Sequence, residues 1–190
     1  MKLKPLRQGR LDGLCGVYSV INATRLAAWP TLRLTREPCN DLFSLLTADL
    51  NDRAKLFKVL TNGSRDFVVR RLLREADSWL RDCYGIRLRH RRPYPGRSFS
   101  RSRIAAILRR HLAEDHTSAI IGLSGCLEHW SVVRAVKPKT IMLFDSSGMK
   151  RLPVAPAYSS QKTIEVLAEN LFLIRCETAR GPGRPPVARR

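Results

Sequence analysis

The stretch 7-RQGRLDGLCGVYSVINATRLAAWP-30 decides how the rest of the chain is read. Pro5, Gly9 and Gly13 discourage helix before it, because one lacks the N–H donor and the others lose the most backbone freedom on ordering. From Cys15 to about Ala28 the pattern turns helical: Ser19, Asn22 and Arg25 fall at three-residue steps on one stripe, and nearly everything else is apolar. A helix apolar around most of its circumference packs between layers rather than on a surface. Trp29-Pro30 ends it, since the residue before proline is pushed out of the helical region. The segment therefore sets a thiol at the first turn of a buried helix, with the amide of Gln8 and the carboxylate of Asp12 crowded in front.

Residues 38–83 carry two or three further helices. Pro38 suits a helix start, and FVVRRLLREADSWLRDCYG places leucines and Trp79 at helical spacing until Gly85 stops it. IRLRHRR alternates like a short exposed strand and opens a basic, proline-containing connector over 86–103, followed by the amphipathic helix RIAAILRRHLAEDH. After Thr117 the character changes: SAIIGLSG, HWSVVRAV, TIMLFDSS and ENLFLIRCE read as four strands with short turns. Helices first and an antiparallel sheet second make the expected class α+β, in one domain over 1–178. The tail 179–190, rich in proline and arginine, is expected to be disordered.

At the first turn of a helix, unpaired N–H groups and the positive end of the dipole stabilise an anion. With an imidazolium nearby, such placement brings a thiol pKa from about 8.5 to roughly 3.5–7.5. The candidate partners lie in LEHWSVVRAVKPKTIMLFDSSG, where His129 begins one strand and Asp145 ends the next. A three-residue turn centred on Pro138 sets residue 131 opposite 145, so that His129 and Asp145 share a face. A two-residue turn would set them on opposite faces. On the useful register, one imidazole nitrogen takes the thiol proton and the carboxylate orients the ring through the other. Taken singly, each residue has a plainer reading: Cys15 as a small buried residue, His129 as a satisfied core histidine, Asp145 as a turn former before Ser-Ser-Gly. Asp12 reads as a helix cap.

Gln8, then LDGLCG, then histidine and aspartate on consecutive strands in the last third of the chain together resemble the papain-like cysteine peptidase superfamily. The layout is nearest to the bacterial family that processes double-glycine leader peptides. That resemblance implies a nucleophile-bearing central helix packed on an antiparallel sheet, with Cys15 as nucleophile and His129 as general base and acid. It further implies Asp145 as the orienting carboxylate and Gln8 as an oxyanion-hole donor. It covers residues 8–24 and 119–148; the helical middle, 30–115, matches nothing nameable. The membrane and ATPase portions of leader-processing transporters have no counterpart here.

The remaining candidates are plainer. Cys126 with His129 is half of a metal site without a second pair, so neither metal nor cofactor is expected. His111 and His116, five apart on the last helix, do not face each other. Trp130 is expected on the strand face opposite His129. Five cysteines without paired spacing read as reduced thiols.

The 190 residues carry a net charge of +19, mostly from arginine. Such a chain attracts nucleic acid, acidic proteins and peptides, or anionic membranes, though arginine-rich composition also follows from a GC-rich genome. No apolar run reaches the roughly 18–20 residues a bilayer span requires, and no signal peptide is evident, so a soluble cytoplasmic protein is expected. The leading expectation is thus a thiol hydrolase cleaving an amide bond in a peptide or protein. The alternatives are an acyltransferase on the same machinery, an inactive adaptor, and a nucleic-acid-binding protein acting through 87–103 and 180–190.

Overall fold

A computed structural model describes residues 3–9, 13–155 and 164–178. Asp12, read as a helix cap, and the tail 179–190 lie outside them. Among the described residues, five helices and six strands follow in the order α1 (Cys15–Ala28), α2 (Arg36–Asp52), α3 (Leu56–Asn62), α4 (Asp66–Tyr84), β1 (Ile86–Arg91), α5 (Arg101–His111), β2 (Thr117–Gly125), β3 (His129–Lys137), β4 (Thr140–Leu143), β5 (Arg151–Pro153) and β6 (Ile164–Thr178). The strands form one antiparallel sheet ordered β1-β6-β2-β3-β4-β5. The class is α+β, with N-terminal helices packed on this sheet. No helix among the described residues is long and apolar enough to cross a membrane.

Strand alternation divides the core in two. Ile120, Trp130, Val132, Phe172 and Ile174 form one cluster with α1 and, packed on it, α2 and α4. Ile121, Val133, Leu143, Leu171 and Leu173 face the other way, onto Ile104 and Leu108 of α5. Each central strand therefore buries both faces, which is why its sequence runs apolar rather than alternating.

Helix α1 is the buried centre, with Val17, Val20 and Ile21 fully covered. Its polar stripe has a purpose at each position. The Ser19 hydroxyl donates to the Trp130 carbonyl at 2.8 Å. Asn22 accepts from the Leu6 N–H at 2.8 Å and donates to the Leu6 carbonyl at 3.1 Å. Arg25 donates to the Lys4 carbonyl at 2.9 Å. The stripe is thus the seam along which the extended N-terminal segment and β3 dock on α1. It satisfies backbone groups that burial would otherwise leave unpaired.

Three expectations change. IRLRHR is a strand, as its alternation predicts, but part of the sheet edge rather than of an exposed connector: β1 pairs with the last strand, with Leu88 opposite Cys176, and buries Ile86 and Leu88. Five of the arginines over 87–103 that the nucleic-acid reading sets against phosphates are engaged within the fold. Arg87 pairs with Asp77, Arg89 with Glu177 and Arg92 with Asp66. Arg101 donates to the Pro153 carbonyl at 3.1 Å, and Arg103 lies over the Phe99 ring. Helix α5 ends at His111, so His116 is not helical and sits at φ 57°. The His111 ring is drawn to the sheet, its Nε2 donating between the carbonyls of Ser118 (3.1 Å) and Ile174 (3.0 Å).

Candidate active site

Helix α1 begins at Cys15 itself, with Leu14 as its N-cap. A leucine has no side-chain acceptor, so its own side chain caps none of the first-turn N–H groups. Cys15 lies 7% exposed at this end. The flanking glycines follow from what crosses there. Gly13 donates its N–H to the Leu60 carbonyl at 3.0 Å, and a Cβ on it would run into backbone oxygens of α3. A Cβ on Gly16 would come within 2.7 Å of the Ser64 Cβ. The pattern Gly-Leu-Cys-Gly lets the turn carrying the thiol pass under the segment between α3 and α4.

His129 is the first residue of β3, 7% exposed, and its Nε2 lies 2.7 Å from the Asp145 Oδ2. The route to this register corrects the expected turn. Lys137 pairs with Thr140, so the hairpin turns on only two residues, Pro138 and Lys139. The count is recovered by a bulge at Arg134, after which Val133 pairs with Leu143 and the Phe144 N–H donates to the Val132 carbonyl at 2.8 Å. One extra residue in one strand exchanges the faces, and here it brings His129 and Asp145 to the same side. Trp130 goes to the opposite face as expected, and its Nε1 donates to the Ser64 carbonyl at 2.6 Å.

Asp145, 2% exposed, divides its two oxygens between two tasks. Oδ1 accepts from the N–H groups of Ser147 (2.9 Å), Gly148 (2.9 Å) and Met149 (3.1 Å) and from the Ser147 hydroxyl (2.6 Å). Oδ2 is kept for His129. The turn role and the orienting role are both filled, by different atoms.

Burial alone would lower the His129 pKa and raise that of Asp145. Hydrogen bonding outweighs it at both residues. The Asp145 carboxylate first, then the Cys15 thiol, raise His129 from 6.5 to about 9. The His129 ring and the Ser147 hydroxyl hold Asp145 well below the usual carboxylate range. Both shifts have the sign of an imidazolium–carboxylate pair at neutral pH. Since Nε2 is taken by Asp145, Nδ1 is the nitrogen left for the Cys15 thiol.

Gln8 is tied to the turn after Asp145. Its N–H donates to the Ser146 carbonyl at 3.3 Å, and its Oε1 accepts from the Ser146 hydroxyl at 2.8 Å. An amide held by its oxygen presents its NH2 as the donor end. Sequence reasoning missed Ser146 in this role, although it stands in the quoted DSSG run.

Cys15 and His129 open together into a cleft of about 450 Å³. One wall is the segment from Asn62 to Asp66; the other is Gly122 with Glu169 and Asn170. Arg92 bridges the walls, pairing with Asp66 at 2.7 Å and donating to the Glu169 carbonyl. Cys126 is exposed, and the described residues assemble no group of three side chains that could hold a metal ion.

Comparison with protein-family models, with curated proteins and with solved structures returned no match to this chain.

Proposed function

We propose that the protein is a papain-like cysteine hydrolase that cleaves an amide bond in a peptide or protein. The observation that carries this reading is the line Asp145–His129–Cys15, with the 2.7 Å carboxylate–imidazole bond buried behind a thiol at a helix N-terminus. A sulfur beside an imidazolium and a helix N-terminus is in the surroundings that make cysteines nucleophilic. A nucleophile-bearing helix packed on an antiparallel sheet that carries the histidine and aspartate is also the arrangement the sequence resemblance implies.

The Cys15 sulfur attacks the carbonyl carbon, forming a C–S bond as the carbonyl oxygen takes the negative charge. Backbone N–H groups at the start of α1 and the Gln8 amide are the donors for that oxygen, a contribution of about 10²–10³-fold in rate for one such donor. The His129 imidazolium protonates the leaving nitrogen and the C–N bond breaks, leaving a thioester. Neutral His129 then takes a proton from water, whose oxygen attacks the thioester. The C–S bond breaks, the acid is released and the thiolate and imidazolium are restored. Asp145 keeps the ring oriented and its charge compensated throughout. An amine in place of water would make the same site an acyltransferase.

The test is turnover of a fluorogenic peptide library by wild type and Cys15→Ala, with the acyl-enzyme sought by mass spectrometry at Cys15. Turnover that survives in the variant rules the reading out.

A further inference from the structure

The wall of the cleft opposite α4 is built by an irregularity that the hydrolase chemistry does not itself require. Along β2 and β6, Ile121 pairs with Leu171, but the next residue, Gly122, pairs with Leu167. Three residues of β6, Ala168, Glu169 and Asn170, are therefore looped out of the ladder. Bulges beside active sites re-aim side chains that regular pairing would bury or turn away. The cost here is three residues' worth of ladder pairing in a long strand, and two features hold the bulge in place. Ala168 is 2% exposed and anchors it in the core, while Arg92 grips the Glu169 carbonyl from across the cleft.

The bulge leans over Gly122. A Cβ there would stand 2.6 Å from the Asn170 Cβ and 3.0 Å from its Nδ2, so only glycine lets Asn170 lie where it does. A glycine inside a strand marks such a close approach. Asn170 lines the same cleft as Cys15 and His129, and its carboxamide makes no hydrogen bond to the described residues. A carboxamide offers one acceptor and two donors, the complement of a peptide C=O and N–H.

We propose that the bulge Ala168–Asn170 is a substrate-recognition wall, on which the Asn170 carboxamide pairs with the main chain of an extended peptide running through the cleft. The inference rests on the thiol-hydrolase reading of Cys15 and names its substrate class: an unfolded peptide or chain terminus recognised through its backbone. A cleft of about 450 Å³, braced across by Arg92, takes a few residues of extended chain and no folded surface.

The test uses the full chain carrying Cys83→Ser and Cys126→Ser, which removes the exposed thiols. Two probes are compared by intact mass: iodoacetamide, and an N-acetylated tripeptidyl acyloxymethyl ketone library. In both, the sulfur displaces the leaving group from carbon. Asn170→Ala is expected to lower the peptidyl probe's labelling rate about tenfold, for the loss of one or two hydrogen bonds. The loss falls on the apparent binding constant rather than the limiting rate, and iodoacetamide labelling stays unchanged. Gly122→Ala, which displaces Asn170 without altering it, is expected to give the same pattern. Wild-type peptidyl labelling in both variants overturns the recognition wall while leaving the Cys15 nucleophile standing. Equal losses with both probes overturn it too, since they mark a collapsed site. Iodoacetamide labelling of Cys15 that is indifferent to His129→Ala takes down the hydrolase reading and this inference together.

Discussion

His129 and Asp145 meet through one nitrogen and one oxygen, Nε2 to Oδ2 at 2.7 Å, with the other carboxylate oxygen fully occupied by its own turn. The carboxylate cannot rotate away without breaking the turn, so the ring orientation is fixed by the backbone rather than by a rotamer alone. This coupling has a pH signature. The folded pKa of His129, about 9, lies above its ordinary 6.5, so its contribution to stability is complete below 6.5 and lost as pH rises to about 9. Asp145 is depressed below its ordinary 3.8, so its contribution is present above that value and lost as pH falls through the depressed range. Asp145→Asn removes the larger of the two groups that raise His129 and leaves burial opposed by Cys15 alone. The stability deficit of this variant in urea titrations should be largest between 3.8 and 6.5 and shrink toward pH 9. On the hydrolase reading, the alkaline limb of turnover, which requires the imidazolium, should move downward from about 9, with a rate loss of roughly 10²-fold or more. An unmoved limb would show that Asp145 does not set the charge of the ring.

The five thiols should separate by reactivity. Cys83 and Cys126 are exposed and will react with any alkylator, so total labelling says little about the site. Cys176 is buried, its thiol pushed up to about 12 by burial with Asp77 and Glu177 nearby, and burial likewise raises Cys39. With the two exposed cysteines replaced by serine, one alkylation per chain is expected at neutral pH, at Cys15. It should be accelerated over free thiol and slowed by His129→Ala. Peptide mapping that finds the label on Cys39 or Cys176 would contradict this assignment.

The glycine beside Cys15 gives a prediction independent of catalysis. Gly16→Ala drives a methyl to within 2.7 Å of the Ser64 Cβ, in a place where helix and loop are both held. Overpacking of this kind costs about 1–3 kcal/mol. Ser64→Gly removes the Ser64 side chain against which that methyl clashes, so the double variant should recover most of the loss. Thermal unfolding of the four forms of this cycle reads the coupling directly; additive losses would mean that the clash is relieved elsewhere.

How much of this was legible follows from where each signal resides. The buried nature of α1, its start at Cys15 and its end before Trp29 are local properties, and periodicity and punctuation carried them. The His129–Asp145 pairing was legible as residue types but not as geometry. The turn at Pro138 is one residue shorter than the useful register needs, and the correction comes from a bulge at an exposed arginine that has no distinguishing local signature. The strand at 86–91 was legible as a strand but looked exposed and part of a connector, because its partner, β6, lies more than eighty residues away. An arginine-alternating edge strand and a basic loop share one composition. The cleft wall was least legible: Glu169 and Asn170 open the run ENLFLIRCE and read as strand, and only the long-range pairing of Gly122 with Leu167 expels them.

The stripe on α1 supplies the last expectation. Asn22 is fully buried and holds the extended N-terminal segment by both ends of its amide, at the N–H and the carbonyl of Leu6. Two residues further along that segment, Gln8 is fastened to Ser146, beside the orienting carboxylate. Asn22→Ala leaves both Leu6 groups without their buried partner, at a cost of about 1–3 kcal/mol for each group that water cannot reach. Asn22→Asp keeps the acceptor for the Leu6 N–H but places a carboxylate against the Leu6 carbonyl, so it should be no better tolerated. If Gln8 donates to the oxyanion, loosening the segment that carries it should reduce turnover in Asn22→Ala beyond what the unfolded fraction explains. The iodoacetamide rate at Cys15, which needs no oxyanion donor, should fall only in proportion to that fraction. A turnover loss that tracks the alkylation rate at every temperature would instead assign Gln8 to holding the Ser146 turn, with no part in the chemistry.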